Sequence, residues 1–205
     1  MIARIAKHLT ALLVILAGTA GGVALADVVI GGTPSEELTA PDPTPVAGSE
    51  SVEAHAPDAR GGAPWAVRVY RIANGQLCSD FGREVEGQLG QLDADGAFHA
   101  RRPEDAGGSC GDPDSALGAL LSLTYYPDDP TTPGYEAPRT IVSGIAGRHV
   151  TGIHVAWPDQ PVDVALSRRH AFISVYDGGP ASLAVTVTYD DGSQATRDFT
   201  VPVSK

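Results

Sequence analysis

Only two cysteines, one methionine and an aromatic content of 6% deprive this chain of several common chemistries. Two cysteines with no Cys-x-x-Cys spacing exclude a thiol redox motif and a four-cysteine zinc knot. Bases are scarce as well: Lys and Arg total 14 against 25 Asp and Glu, a net charge of −11. So acidic a chain repels phosphate backbones and anionic headgroups, which excludes nucleic acid and the membrane surface as expected partners. The basic doublets Arg101-Arg102 and Arg168-Arg169 read as solvated surface. No stretch carries a sustained 3.6-residue apolar period, which excludes a helical bundle; residues 113–121 hold at most one helical turn.

Catalytic motifs are missing for identifiable reasons. Ser143 is followed by glycine but preceded by Ile141-Val142, so no Gly-x-Ser-x-Gly elbow exists. His149 and His154 are five apart, which breaks the two-histidine zinc-protease spacing. Cross-strand metal ligation is a further candidate, with His154 meeting His170 or Asp163. Aligning Gly96 with the obligatory glycine of an EF-hand places Gln91 at the first ligand position and Arg102 at the twelfth. That alignment rejects the motif. Asp112-Pro113-Asp114, Asp128-Asp129 and Asp190-Asp191 read first as turn formers and second as rim ligands for calcium. No catalytic residue, metal set or cofactor is assigned.

What is present begins at the N-terminus. Arg4 and Lys7 precede residues 9–26, 18 residues without a charge, at the lower limit for a membrane-spanning helix. The run ends in Ala24-Leu25-Ala26 before Asp27, the small-x-small pattern of a signal-peptidase site. Residues 1–26 are therefore expected to be a signal peptide cleaved after Ala26. The alternative is an uncleaved apolar anchor helix extended to residue 30. Either reading places the rest outside the cytoplasm, with the membrane touched only through this segment.

Residues 27–62 carry five prolines, and seven acids opposed by Arg60 alone. This composition predicts a disordered, extended, acidic Pro/Gly-rich linker. The pattern then changes. Residues 63–205 show period-two alternation broken by Gly, Pro and Asp clusters, which predicts an all-β, antiparallel β-sandwich ectodomain of about nine strands. Its two halves are expected at 63–126 and 139–205. Strands are read at 65–72, 85–92, 97–100, 119–126, 140–146, 153–157, 162–166 and 171–176. The clearest hairpin joins 182–189 to 195–203 across Asp191-Gly192, expected to form a type I′ turn.

Ile141-Val142-Ser143-Gly144, the run from Val150 to Trp157, Phe172 and the Tyr189-Asp190-Asp191-Gly192 hairpin carry a resemblance. On them, residues 139–203 resemble bacterial immunoglobulin-like or fibronectin-III-like modules. The resemblance implies a sandwich fold and no activity.

Cys78 and Cys110, an even pair in an exported chain, are expected to form one disulfide. Closing that loop is worth roughly 3.7 kcal/mol of chain entropy. The candidate binding feature is the segment 125–138, rich in proline and bearing Tyr125, Tyr126 and Tyr135. Tyrosine offers rigid contact area with a polar tip. One of Tyr125 and Tyr126 is expected to face outward, since strand neighbours point to opposite faces. The functional expectation is a non-catalytic interaction or structural module whose partner is an envelope or extracellular protein or glycan. The alternatives are a secreted hydrolase with paired carboxylates and a calcium- or carbohydrate-binding β-domain.

Overall fold

The computed structural model describes residues 23–30, 44–93, 95–102, 108–111, 119–126 and 138–201. Every described element is a strand, and every pairing is antiparallel. The strands are β1 (Val23–Ile30), β2 (Ser51–Ala56), β3 (Trp65–Arg71), β4 (Leu77–Val85), β5 (Gln88–Leu92), β6 (Phe98–Ala100) and β7 (Ser109–Gly111). There follow β8 (Ala119–Tyr126), β9 (Arg139–Ala146), β10 (Val150–Ala156), β11 (Pro161–Val164), β12 (Ala171–Tyr176), β13 (Ser182–Tyr189) and β14 (Gln194–Thr200). Three sheets result: β1-β8-β9-β12, β11-β10-β13-β14, and β2-β3-β4-β5-β6 with β7 on β4.

The sheet β1-β8-β9-β12 is the middle layer. Leu121, Leu123 and Tyr125 of β8, Val142 of β9 and Phe172 of β12 pack with Val155, Val185 and Val187 of the β10–β13 sheet. The alternate residues Tyr126, Ile141, Ile145 and Ile173 pack with Trp65, Val67 and Val69 of β3. Both faces are thus covered, and all eight residues of β9 are buried. A strand buried on both faces has no reason to alternate apolar with polar. Adjacent apolar pairs such as Ile141-Val142 record this.

The middle layer decides the fate of the tyrosines. Tyr125 and Tyr126 do point to opposite faces, but each face meets another sheet, and they are 5% and 8% exposed. The expectation of an outward tyrosine is corrected. Residues 127–137, including Tyr135, lie outside the described residues. They connect β8 to β9 within one sheet instead of joining two halves of the domain. The expected division at 63–126 and 139–205 shifts accordingly, because β8 pairs with β9 and packs with β10 and β13.

The linker expectation also changes. Pro45 bridges to Ile72, and β2 pairs along β3, so the acidic segment joins the fold well before residue 63. Ala54 and Ala56 are the apolar residues that β2 buries, too small to register as a core stripe. Residues 1–22 and 31–43 lie outside the described residues. Between them β1, which contains Ala24 to Ala26, pairs with β8 as an edge strand. Among the described residues no helix is long and apolar enough to cross a membrane.

Turn chemistry separates two classes of hairpin. The β13–β14 turn has positive φ only at Gly192; around its three residues the Tyr189 amide donates to the Ser193 carbonyl and the Gly192 amide to the Tyr189 carbonyl, each at 3.0 Å. It is a three-residue loop closed by a left-handed glycine, in place of the expected type I′. Gly75 closes the β3–β4 turn in the same way. The two-residue turn with both φ positive is Glu86-Gly87, at 52° and 80°, between β4 and β5. The strand expected at 85–92 is divided there.

Candidate functional site

The disulfide is present. β7 aligns on β4 so that Cys78 sits opposite Cys110, with Cα atoms 4.0 Å apart. Both cysteines are buried beside Tyr70 and Ile72. The bridge fixes the return of the chain after the β5–β6 excursion, where the sheet is thinnest in apolar residues.

The densest polar constellation lies between β3–β4 and the middle sheet, and sequence reading missed it. Asp58, in the β2–β3 connection, is 8% exposed. Its carboxylate accepts from Trp65 Nε1 at 3.0 Å, the Arg60 amide at 2.8 Å, and Arg139 Nη2 at 2.7 Å and Nε at 3.3 Å. Arg83 closes the set as an ion pair, its guanidinium 3.9 Å from the Trp65 ring centroid. Arg139, at 1% exposure, also donates to Asp177 at 2.7 Å and to the Pro138 carbonyl at 2.8 Å. Arg60 reaches the same Asp177 at 2.8 Å. Burial raises the Asp58 carboxyl pKa. Arg139, the Arg60 amide, the Arg83 charge and Trp65 outweigh it and bring the pKa down to about 2. Above this network opens a cleft of ≈ 530 Å³ flanked by Gly61, Gly62 and Phe98.

A second network occupies the other face of the same sheet. Arg68 grips Asp80 with both arms, at 3.0 and 2.7 Å, and reaches Glu50 at 3.0 Å. Arg101 adds a contact to Asp80 at 3.4 Å. Burial lowers the Arg68 pKa, but Asp80 overrides it, and the group is held above its ordinary value. Tyr70, wholly buried with an unbonded hydroxyl, is pushed up to about 12 by desolvation.

The histidines take separate places. His154 meets Asp163 across β10–β11 at 2.8 Å, as the cross-strand reading anticipated. His170 instead bonds the Gly147 carbonyl at 3.1 Å and does not join them. His149 pairs with Asp190 and His99 with Asp93. Among the described residues, no three His, Cys, Asp or Glu side chains converge as a metal site. Asp191 is a turn former: its carboxylate accepts from the Ser193 hydroxyl and amide, which holds its pKa below the ordinary range. Asp112, Asp114, Asp128 and Asp129 lie outside the described residues.

The signal that marks the Asp58 network in the sequence is an arginine beside a core strand: Arg139 precedes Thr140-Ile141-Val142, and Arg83 sits inside β4. Only the stacking of layers shows that both turn inward. No family model, no curated protein and no solved structure matches this chain.

Proposed function

We propose that this chain is a non-catalytic, extracytoplasmic interaction or structural module built on an immunoglobulin-like sandwich. The observation that carries the non-catalytic reading is the commitment of the two buried aspartates. Asp58 and Asp80 are spanned by arginines and hydrogen bonds that hold their positions. A general acid or base works best with a pKa near the operating pH, whereas Asp58 is held far below it. Such a carboxylate serves to lock layers together.

The finer fold reading rests on strand order. The run β8-β9-β12 against β11-β10-β13-β14 corresponds to strands A-B-E and C′-C-F-G of an immunoglobulin-type sandwich with D omitted. The remaining sheet, β2 to β7, is an addition laid on the outer face of A-B-E. A disulfide at Cys78–Cys110 fits an oxidising compartment, and residues 1–26 supply the export signal.

Fusing alkaline phosphatase after residue 205 tests the location. That enzyme needs its own disulfides and is active only after export. High activity with residues 1–26 present and none after their deletion is expected; equal activity in both would remove the export reading.

A further inference from the structure

We infer that the cleft between the β3–β4, β9–β10 and β11–β12 turns is a binding site for an oxyanion-rich ligand, one carrying phosphate or carboxylate groups. The inference deepens the interaction-module reading by naming the chemistry of its partner.

The cleft measures ≈ 410 Å³ and is lined by Arg71, Arg148, Arg169 and His170, with Ser49, Leu77 and Ala146. The chain carries 25 acids against 14 bases, yet every charged side chain lining this cleft is cationic. Three separate turns deliver them, so their convergence is a product of the fold and not of a basic run in the sequence. Like charges gathered in one concavity repel, and an anionic occupant relieves that repulsion.

The groups are held in place but not consumed. Among the described residues, neither Arg71 nor Arg148 meets a carboxylate. Arg71 donates one nitrogen to the Gly75 carbonyl at 3.0 Å, and Arg148 bonds only His149 at 3.1 Å. Arg169 is tied to the Ser49 carbonyl at 3.3 Å and to Glu53 at 3.4 Å. A guanidinium has five N–H donors in a planar fork that fits phosphate or carboxylate through two bonds. Each arginine therefore keeps donors in reserve while its stem is anchored.

His170 adds an observation of a different kind. Its φ is +59°, in the left-handed region that non-glycine residues adopt uncommonly, histidine more often than most, and where strained residues cluster at ligand sites. Its amide donates to Ser167 at 3.0 Å, its carbonyl accepts from Ala146 at 2.8 Å, and Nδ1 meets the Gly147 carbonyl at 3.1 Å. A carbonyl only accepts, so Nδ1 carries a proton, and that bond fixes the ring at the wall of the cleft while the arginines supply the donors.

Calorimetric titration of the purified, disulfide-intact chain at low ionic strength tests this with two probes, tripolyphosphate and trigalacturonate. Saturable 1:1 binding of at least one is expected, weakening as salt rises. The probe that binds identifies phosphate or carboxylate as the recognised group. Arg71→Gln with Arg148→Gln should weaken binding at least tenfold at an unchanged melting temperature. Arg148→Lys, which keeps the charge and loses the fork, should fall between, and Arg168→Gln, outside the cleft, should bind as the wild type does. No saturable binding of either probe overturns the proposal. So does equal affinity in the double variant, or an equal loss in the Arg168 variant. Because the titration uses purified protein, its failure leaves the result of the export experiment standing.

Discussion

At the scale of single residues, Asp58 ties separate elements of the molecule together. It links the β2–β3 connection, β4 and β9 through Trp65, Arg83 and Arg139. Its folded pKa of about 2 lies below the ordinary 3.8, so its ionised form is favoured by folding. That contribution is complete above about pH 5 and is lost as pH falls through 4 towards 2. It amounts to on the order of 2 kcal/mol. Denaturant unfolding followed from pH 6 to pH 2 should show this loss in the wild type and a shallower slope in Asp58→Asn. At pH 7 the same substitution leaves Arg83 and Arg139 buried against a neutral amide and should cost about 3–5 kcal/mol. A variant with the wild-type pH slope would show that other carboxylates govern acid unfolding. Tyr126 makes a second residue-scale case. Its ring lies 5.8 Å from that of Trp65, and Tyr126→Ala should cost about 3–5 kcal/mol. The melting temperature would drop by roughly 10 °C. A variant that melts like the wild type would return Tyr126 to the surface.

At the scale of elements, turn geometry and covalent bridging set the thinner sheet. Glu86 occupies the first position of a turn where both φ values are positive, a place where asparagine is favoured. Glu86→Asn should therefore stabilise the protein by about 0.5–1 kcal/mol, read as a raised denaturant midpoint with an unchanged slope. A lowered midpoint would show that the glutamate side chain makes contacts worth more than the strain. The Cys78–Cys110 bridge closes a span of 32 residues around β5 and β6. Alkylation of the unfolded chain should find no thiol before reduction and two after it. Replacing both cysteines with serine should cost about 2–4 kcal/mol. Alternation located β8 and β13, because each places large apolar residues at every second position. It passed over β2, whose buried residues are alanines, β4, of which only Val85 fell within an expected strand, and β7, whose three residues are held by the ladder and the bridge.

At the scale of the whole molecule, the arrangement is a stack of three sheets around two apolar clusters, with ionic networks on either side of β3–β4. β1 runs through the expected cleavage site: Ala24 pairs with Thr124, Asp27 with Ser122 and Ile30 with Ala119. Cleavage after Ala26 leaves the second half of that strand, Asp27 to Ile30, on the edge of the middle sheet. Sequencing of protein secreted by its host should begin Asp27-Val28-Val29. Full-length protein confined to the membrane fraction would replace the signal peptide with the anchor.

The sequence by itself determined the β architecture, the hairpin at 182–200 and the pairing of its only two cysteines. These follow from local rules: period-two alternation, an Asp-Gly turn and an even count of thiols. Tertiary structure alone decided that the sheet of β8, β9 and β12 is covered on both faces. Burial on a second face depends on which sheet arrives there, and alternation along one strand carries no record of it. The same stacking buried Tyr125 and Tyr126, drew Asp58 and Arg139 together across 81 positions, and collected Arg71, Arg148 and Arg169 around one cleft. Those meetings arise because long-range antiparallel pairing sets the distances, and no spacing in the sequence encodes them.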